Sequence, residues 1–335
     1  MTASATINDT STIIYRPVRK HEQQQAIDLW YSIFGTFPGM DDRYFGSLAS
    51  PRYQEGDTLG AWFDGKLVSI VNIARLILRS RDDDSEYQCA TITCVGTLEE
   101  YRKRGYSRHL LRMAIDKMEQ SGKFDVSILN TRGPKHYSIL GWKQVSAADR
   151  VSVEWKNFNL ENSNDEWHTA SDVFLSDGQL VLEIYSNKPR IYQFDRSPTT
   201  TFEHWVGWSW QREGAIVCML RGEEQGYAVI SNPTNENNVC ISEWRAPNVD
   251  IERKLFKLAA DEIHRRHKET KLIWFRGLPQ YMSLDDLEQC GGGVVNTERD
   301  RTTMFRNIRL PDDKFEKIKP AYSSGEAIFW SGDYF

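Results

Sequence analysis

The sequence predicts a mixed α/β protein of two similarly ordered units, each a twisted mixed sheet flanked by helices, closed by a short tail. Three observations carry this expectation. The chain has 335 residues, about twice the roughly 150 of one domain. Short β-branched runs alternate with amphipathic runs of helical period. That order then recurs in the second half. Apolar residues make up 40% and the chain holds 11 Trp, 14 Tyr and 15 Phe, enough to fill two cores and to exclude a disordered or fibrous polymer.

Residues 13–18 read as a strand closed by Pro17. Across 22–34, Ala26, Ile27, Leu29, Trp30, Ile33 and Phe34 share one helix face. After a Gly/Pro-rich break at 35–39, the runs 58–63 and 66–78 are strands joined by Asp64-Gly65, a hairpin signal. The acidic tract Asp82-Asp83-Asp84 is a solvated loop before a strand at 87–95. An amphipathic helix at 105–120, a buried strand at 124–129 and the turn Arg132-Gly133-Pro134 follow. A short helix around 136–140 stops at Gly141, and a last strand runs from Trp142 towards Trp155. The first unit thus spans 13–155.

Residues 156–176 are polar and read as a connector. Beyond them, 215–220 and 227–231 resemble the earlier hairpin, and 239–244 the strand at 87–95. The helix 249–267 and the strand 271–275 take the places of 105–120 and 124–129. Residues 287–291 and the strand 302–308 complete a second unit over 177–310, and an internal duplication is the economical explanation. Residues 311–335 form a tail too short for a third domain.

Lys plus Arg total 42 against 47 Asp plus Glu, a net charge of −5 that argues against a nucleic-acid binder and for a neutral or cationic partner. Five scattered cysteines without a CxxC pair exclude zinc-finger spacing, so no metal is expected. Residues 1–12 lack an apolar signal core, and the most apolar stretch, 67–78, carries Ser69, Asn72 and Arg75. The expectation is a cytoplasmic protein without membrane contact.

The segment Cys94-Val95-Gly96-Thr97-Leu98-Glu99-Glu100-Tyr101-Arg102-Lys103-Arg104-Gly105-Tyr106-Ser107 carries the chemistry. A strand leaves its core, turns through a basic Arg-x-x-Gly-x-small sequence and enters a helix. The first amides of a helix lack internal partners and the macrodipole makes that end positive, so together they form an anion site. Gly105 lets a phosphate approach the backbone, and Arg102, Lys103 and Arg104 add formal charge. An ordinary basic helix start has the same pattern.

The first unit resembles the GNAT superfamily of acyl-CoA-dependent N-acetyltransferases. Arg102 and Gly105 match the pyrophosphate loop Gln/Arg-x-x-Gly-x-Gly/Ala, with Ser107 a small departure. Tyr137-Ser138-Ile139-Leu140-Gly141-Trp142 matches the second signature, Tyr-x-x-x-Gly-aromatic. The resemblance implies that acetyl-CoA lies between two parting parallel strands. It implies backbone contacts from Thr93, Cys94 and Val95, amides of Arg104 to Ser107 on the pyrophosphate, and Asn130 among the cofactor contacts. It further implies attack by a primary amine through a tetrahedral intermediate, with Tyr137 protonating the departing thiolate. The second unit lacks this loop: Arg245-Ala246-Pro247-Asn248-Val249-Asp250 has no glycine and carries an acid. It is expected to be silent and to complete the cleft.

An active half followed by a degenerate one resembles the Eis-like tandem acetyltransferases, without their third, sterol-carrier-like domain. That resemblance implies a tail entering the active site, with the Phe335 carboxylate as base. An amine of pKa about 10.4 must lose a proton before it attacks, and a carboxylate can receive it. Asp333 and a water chain remain alternatives, and Asp41 and Asp42 are candidates for drawing in a cationic acceptor. The acceptor's identity, small molecule or protein lysine, stays open. So does a second class of function, an acyl-CoA-binding sensor or interaction scaffold without turnover.

Overall fold

The computed structural model describes residues 12–35, 39–46, 53–158, 167–223 and 225–333. Along the chain the elements are β1 (Ile13–Pro17), α1 (Gln23–Phe34), α2 (Met40–Phe45), β2 (Thr58–Phe63), β3 (Lys66–Ser80) and β4 (Ser85–Thr97). Then come α3 (Tyr106–Ser121), β5 (Val126–Asn130), α4 (Lys135–Ser138), β6 (Lys143–Gln144), β7 (Ala147–Glu154), β8 (Trp167–Thr169) and α5 (Ala170–Ser186). They continue with β9 (Tyr192–Phe194), α6 (Thr199–Phe202), α7 (Trp208–Arg212), β10 (Ile216–Leu220), β11 (Gly226–Ser231), β12 (Cys240–Arg245) and α8 (Val249–Arg266). The last are β13 (Leu272–Arg276), α9 (Leu284–Gly291), β14 (Val295–Asp300), β15 (Thr303–Asn307) and α10 (Asp312–Ser324).

Two mixed sheets result. The first has the order β1-β2-β3-β4-β5-β15-β6, with β9 added beside β3. Reversed, the second reads β8-β10-β11-β12-β13-β7-β14, the same order of counterparts. The sixth strand of each sheet is exchanged: β15 from the end of the chain pairs with β5, and β7 pairs with β13. Neither sheet is therefore complete from one half of the chain. The run expected as one strand from Trp142 towards Trp155 divides into β6 and β7, which belong to different sheets.

Local chemistry explains the main elements. Asp64 (φ 49°) and Gly65 (φ 81°) give the paired left-handed turn that suits the β2–β3 hairpin. The apolar face of α3, with Leu110, Leu111, Ala114, Ile115 and Met118 buried, covers the first sheet. Residues 156–176 do not remain a connector throughout. Thr169 accepts a hydrogen bond from the Asp172 amide and starts α5, which buries Val173, Phe174, Val181, Leu182, Ile184 and Tyr185. Serines and acids in its first turns obscure that periodicity.

The tail docks. Trp330 packs edge-on against Trp244 of β12 at 4.9 Å, and Ile328 sits where a Cβ on Gly277, just past β13, would come within 2.4 Å of it. The Arg190 guanidinium donates to the carbonyls of Gly325 (3.0 Å) and Leu278 (2.7 Å). Among the described residues no helix is long and apolar enough to cross a membrane.

Candidate active site

β4 and β5 run parallel through Cys89↔Val126, Ala90↔Ser127 and Thr91↔Ile128, and then part. Beyond that point β4 stays paired with β3 but bulges. The register passes from Ile70↔Gly96 to Asn72↔Thr93, so Cys94 and Val95 together oppose Val71. Cys94 takes φ 50°, and the Trp30 indole N–H donates to its carbonyl at 3.2 Å. The bulge leaves the backbone of 93–95 beside the gap where β5 has turned away.

Below the gap stands the N-terminus of α3. Lys103 (φ 64°) and Gly105 (φ 85°) are both left-handed, and no side chain caps the helix. A Cβ on Gly105 would meet nothing within 4 Å, so glycine is required there by backbone conformation, and the space before the helix is open. Arg102 and Arg104 brace the loop by donating to the carbonyls of Thr97 (3.1 Å) and Glu100 (3.2 Å). Both arginines and Lys103 are exposed; the Tyr106 side chain is buried in the core, so at that position the backbone amide faces the helix end. Ser107 lies 3.4 Å from His136 Nε2, joining α3 to α4.

The equivalent place in the second half is closed. Asn248 caps α8 by accepting from the amides of Asp250 (3.1 Å) and Ile251 (3.0 Å), which occupies the donors that an anion would use. The docked tail touches both β12 and the residue after β13, where the parallel pair is reduced to Ile241↔Phe275.

Two cavities meet at Tyr137. One of about 350 Å³ runs past Gly96, Thr97, Arg102, Ser107 and His136. The other, about 740 Å³, is reached from Thr93, Cys94 and Val95 and is walled by Tyr44 of α2 and by Trp208 and Arg212 of α7. Tyr137 lines both. Burial pushes its phenol up to about 12, and among the described residues its hydroxyl meets no hydrogen-bond partner. Its ring stands edge-on to His136 (5.1 Å) and Trp142 (6.3 Å). The His136 imidazole is held below its usual range by burial and by Arg108.

Residues from the exchanged strand hold this segment. Thr303 donates to the Asn130 side-chain oxygen at 2.8 Å, and Arg306 donates to the Leu140 carbonyl and, at 2.7 Å, to Glu119 of α3. Gly141 (φ 94°) leaves room for that guanidinium, which a Cβ would meet at 2.0 Å. The glycine of the Tyr-x-x-x-Gly-Trp sequence thus reflects the packing of β15.

The larger cavity draws on both halves. Arg43 donates to the Trp205 carbonyl at 2.7 Å and stacks over Trp208 at 4.5 Å. Burial raises the Tyr44 phenol and also keeps the Cys94 thiol above its usual range, so Cys94 is no ready thiolate nucleophile. Arg43, Arg132 and Arg212 line this cavity, and among its described lining residues there is no carboxylate. Asp41 and Asp42 lie on α2, and their side chains fall outside the described residues, as does Phe335.

Asp333 is placed elsewhere than expected. It is buried, accepting from Arg196 Nε at 2.8 Å and from the Trp330 amide at 3.1 Å. Glu243 shares the same guanidinium at 2.6 and 3.1 Å. With each oxygen engaged, Asp333 anchors the tail and is not a free base. Arg43, Tyr44, Trp208, Arg212 and Arg306 were not singled out by the sequence, because tertiary packing alone brings them here.

A bulged strand parting from its parallel neighbour over an uncapped helix start, with a tyrosine at the gap, is the arrangement in which the sequence resemblance expects its cofactor. Residues 14–145 match the family model of the acetyltransferase (GNAT) domain. A probable N-acyltransferase of Enterococcus faecalis is similar at 16% identity and TM-score 0.68, over 90% of this chain and 74% of that one. Eis1 of Mycobacterium abscessus is similar at 14% identity and TM-score 0.59, over 89% and 74%. The N-myristoyltransferase of Saccharomyces cerevisiae, with myristoyl-CoA bound, is similar at 9% and 0.51, over 90% and 85%. At these identities the likeness is one of fold, and no curated protein matches by sequence.

Proposed function

We propose that this protein is an acetyl-CoA-dependent N-acetyltransferase acting on a primary amine. The observation that carries the reading is the meeting of the two cavities at Tyr137: one leads to the uncapped start of α3, and the other is walled by both halves. Amides of Arg104 to Ser107 and the exposed charges of Arg102 and Lys103 suit a diphosphate. The bulge at Thr93 to Val95 offers backbone partners to the pantetheine amides, beside Asn130.

The amine attacks the thioester carbonyl, the C–N bond forms and the C–S bond breaks. Tyr137 donates its O–H to the departing sulfur, and the proton lost by the nitrogen passes to a base. The Phe335 carboxylate is our assignment for that base. Asp333 is fixed two residues before it, and two residues reach at most about 7 Å. The turn Ser331–Asp333 packs on Glu203–Gly207 and on α7, which supplies Trp208 and Arg212 to the larger cavity. The second half then serves as wall and scaffold.

The test is thiol release from acetyl-CoA with a panel of primary amines, with binding followed in parallel by calorimetry. Saturable, amine-dependent CoA release supports the reading. Binding of acetyl-CoA without transfer to any amine would replace it with a sensor or scaffold. Activity undiminished by residues appended after Phe335 would remove the terminal carboxylate from its role.

A further inference from the structure

The smaller cavity, about 350 Å³, holds a titratable side chain outside the proposed chemistry. The His136 imidazole stands on its wall between Ser107, in the first turn of α3, and Tyr137. The turn into α4 fixes it there: the His136 amide donates to the Gly133 carbonyl at 3.2 Å, and the Ser138 amide to that of Pro134 at 2.9 Å. His136 Nε2 lies 3.4 Å from the Ser107 hydroxyl, and the ring meets Tyr137 edge-on at 5.1 Å. Ser107 occupies the place of Gly or Ala in the GNAT loop, so the pair belongs to this chain and not to the signature.

The groups facing the imidazole are cationic or neutral. Arg108 acts on it from α3, and Arg102 lines the cavity from the preceding loop while donating to the Thr97 carbonyl at 3.1 Å. Lys135 adjoins it on α4, where Tyr137 adds a phenol that stays protonated. α1 faces it with Ile33, β4 with Gly96 and Thr97, and the 131–133 turn with Thr131 and Gly133. The described lining residues include no carboxylate, and among the described residues Ser107 is the imidazole's one hydrogen-bond partner. Burial and Arg108 therefore keep His136 uncharged in the free protein at neutral pH. A hydroxyl at 3.4 Å is a long partner, and an ionised phosphate is a stronger one.

We propose that His136 is a further ligand of the CoA diphosphate, donating from its ring to a phosphate oxygen and taking up a proton from solvent as the cofactor binds. The inference rests on the reading that puts the diphosphate at the start of α3. The surrounding cations disfavour the imidazolium in the free protein, and two phosphate charges beside the ring reverse that balance. Binding then raises the pKa of the imidazole. Affinity gained through it is present at low pH and is lost as pH rises through the pKa of the complex.

The experiment uses the full chain and CoA. NMR titration of wild type, with the His136 imidazole assigned through the backbone, should show its pKa rising by at least one pH unit at saturating CoA. Calorimetry then gives the CoA Kd of wild type and of His136→Gln at pH 5.5 and pH 8.5. The phosphate and thiol of CoA titrate alike with both proteins, so the ratio of variant Kd to wild-type Kd isolates the imidazole. A one-unit rise is worth tenfold in Kd well below both pKa values, so that ratio should be at least about fivefold larger at pH 5.5 than at pH 8.5. CoA binding with an unmoved His136 pKa, or with the same Kd ratio at both pH values, overturns the inference and leaves the cofactor reading intact. Failure of CoA to bind at either pH overturns the cofactor reading and the inference with it.

Discussion

Replacing Tyr137 by Phe removes one hydroxyl at the junction of the two cavities and leaves the ring packed on His136 and Trp142. The phenol is held at about 12 by burial, whereas a thiol ordinarily titrates near 8.5. Complete proton transfer to a free thiolate would therefore run uphill by about 3.5 pH units, about 5 kcal/mol. The hydroxyl acts best by donating a hydrogen bond while charge develops on sulfur, with the proton following to solvent or to a stronger base. Loss of one such donor costs about 3–4 kcal/mol, or roughly 10²–10³-fold in kcat. Acetyl-CoA affinity should change less than threefold, because the diphosphate and pantetheine contacts lie elsewhere. Since a raised pKa keeps the phenol protonated, wild-type kcat should show no alkaline loss from this group below about pH 11. Steady-state thiol release across pH, with calorimetric Kd, measures both. A Phe variant with unchanged kcat, or one that loses affinity and rate together, refutes the assignment.

Gly105→Asp should raise the acetyl-CoA Kd at least 100-fold by calorimetry, since it places a β-carbon at φ 85° and a negative charge before α3. Arg306→Met should lower kcat several-fold while leaving acetyl-CoA Kd near wild type, because it frees the segment after Tyr137 from β15. Arg196→Met should destabilise the fold by about 3–5 kcal/mol in urea unfolding, because it leaves Glu243 and Asp333 buried without their cation. The Glu22 carboxyl is lowered to about 2, chiefly by its hydrogen bonds with Arg16. A depressed acid adds stability above its unfolded pKa of about 4.5 and loses it as pH falls towards 2, so Glu22→Gln should narrow the stability difference between pH 6 and pH 2.5.

How much the sequence discloses depends on how local the encoding is. The turn from β4 into α3 and the Asp64-Gly65 hairpin are each set by a few consecutive residues, and each was legible. The duplication was legible because hydrophobic period repeats with the elements. The exchange of β7 and β15 was not: a strand's alternation tells which face is buried, but Val151 and Val153 or Met304 and Phe305 carry no mark of the neighbour they join. α5 hid behind Asp172, Ser176 and Asp177 in its first turns. Asp333 reads as a free acid near the end of the chain until Arg196, 137 residues away, closes on it. The arginines of the larger cavity come from α2, the 130–132 loop and α7, and no spacing in the sequence announces that they converge.

A structure of the protein with CoA bound bears most directly on the central claim. The account predicts the diphosphate on the amides of Arg104 to Ser107 and the pantetheine along Thr93 to Val95. The sulfur should lie within hydrogen-bonding distance of the Tyr137 hydroxyl, and the second sheet should hold no CoA. CoA seated between β12 and β13, or its sulfur directed away from Tyr137, would contradict it.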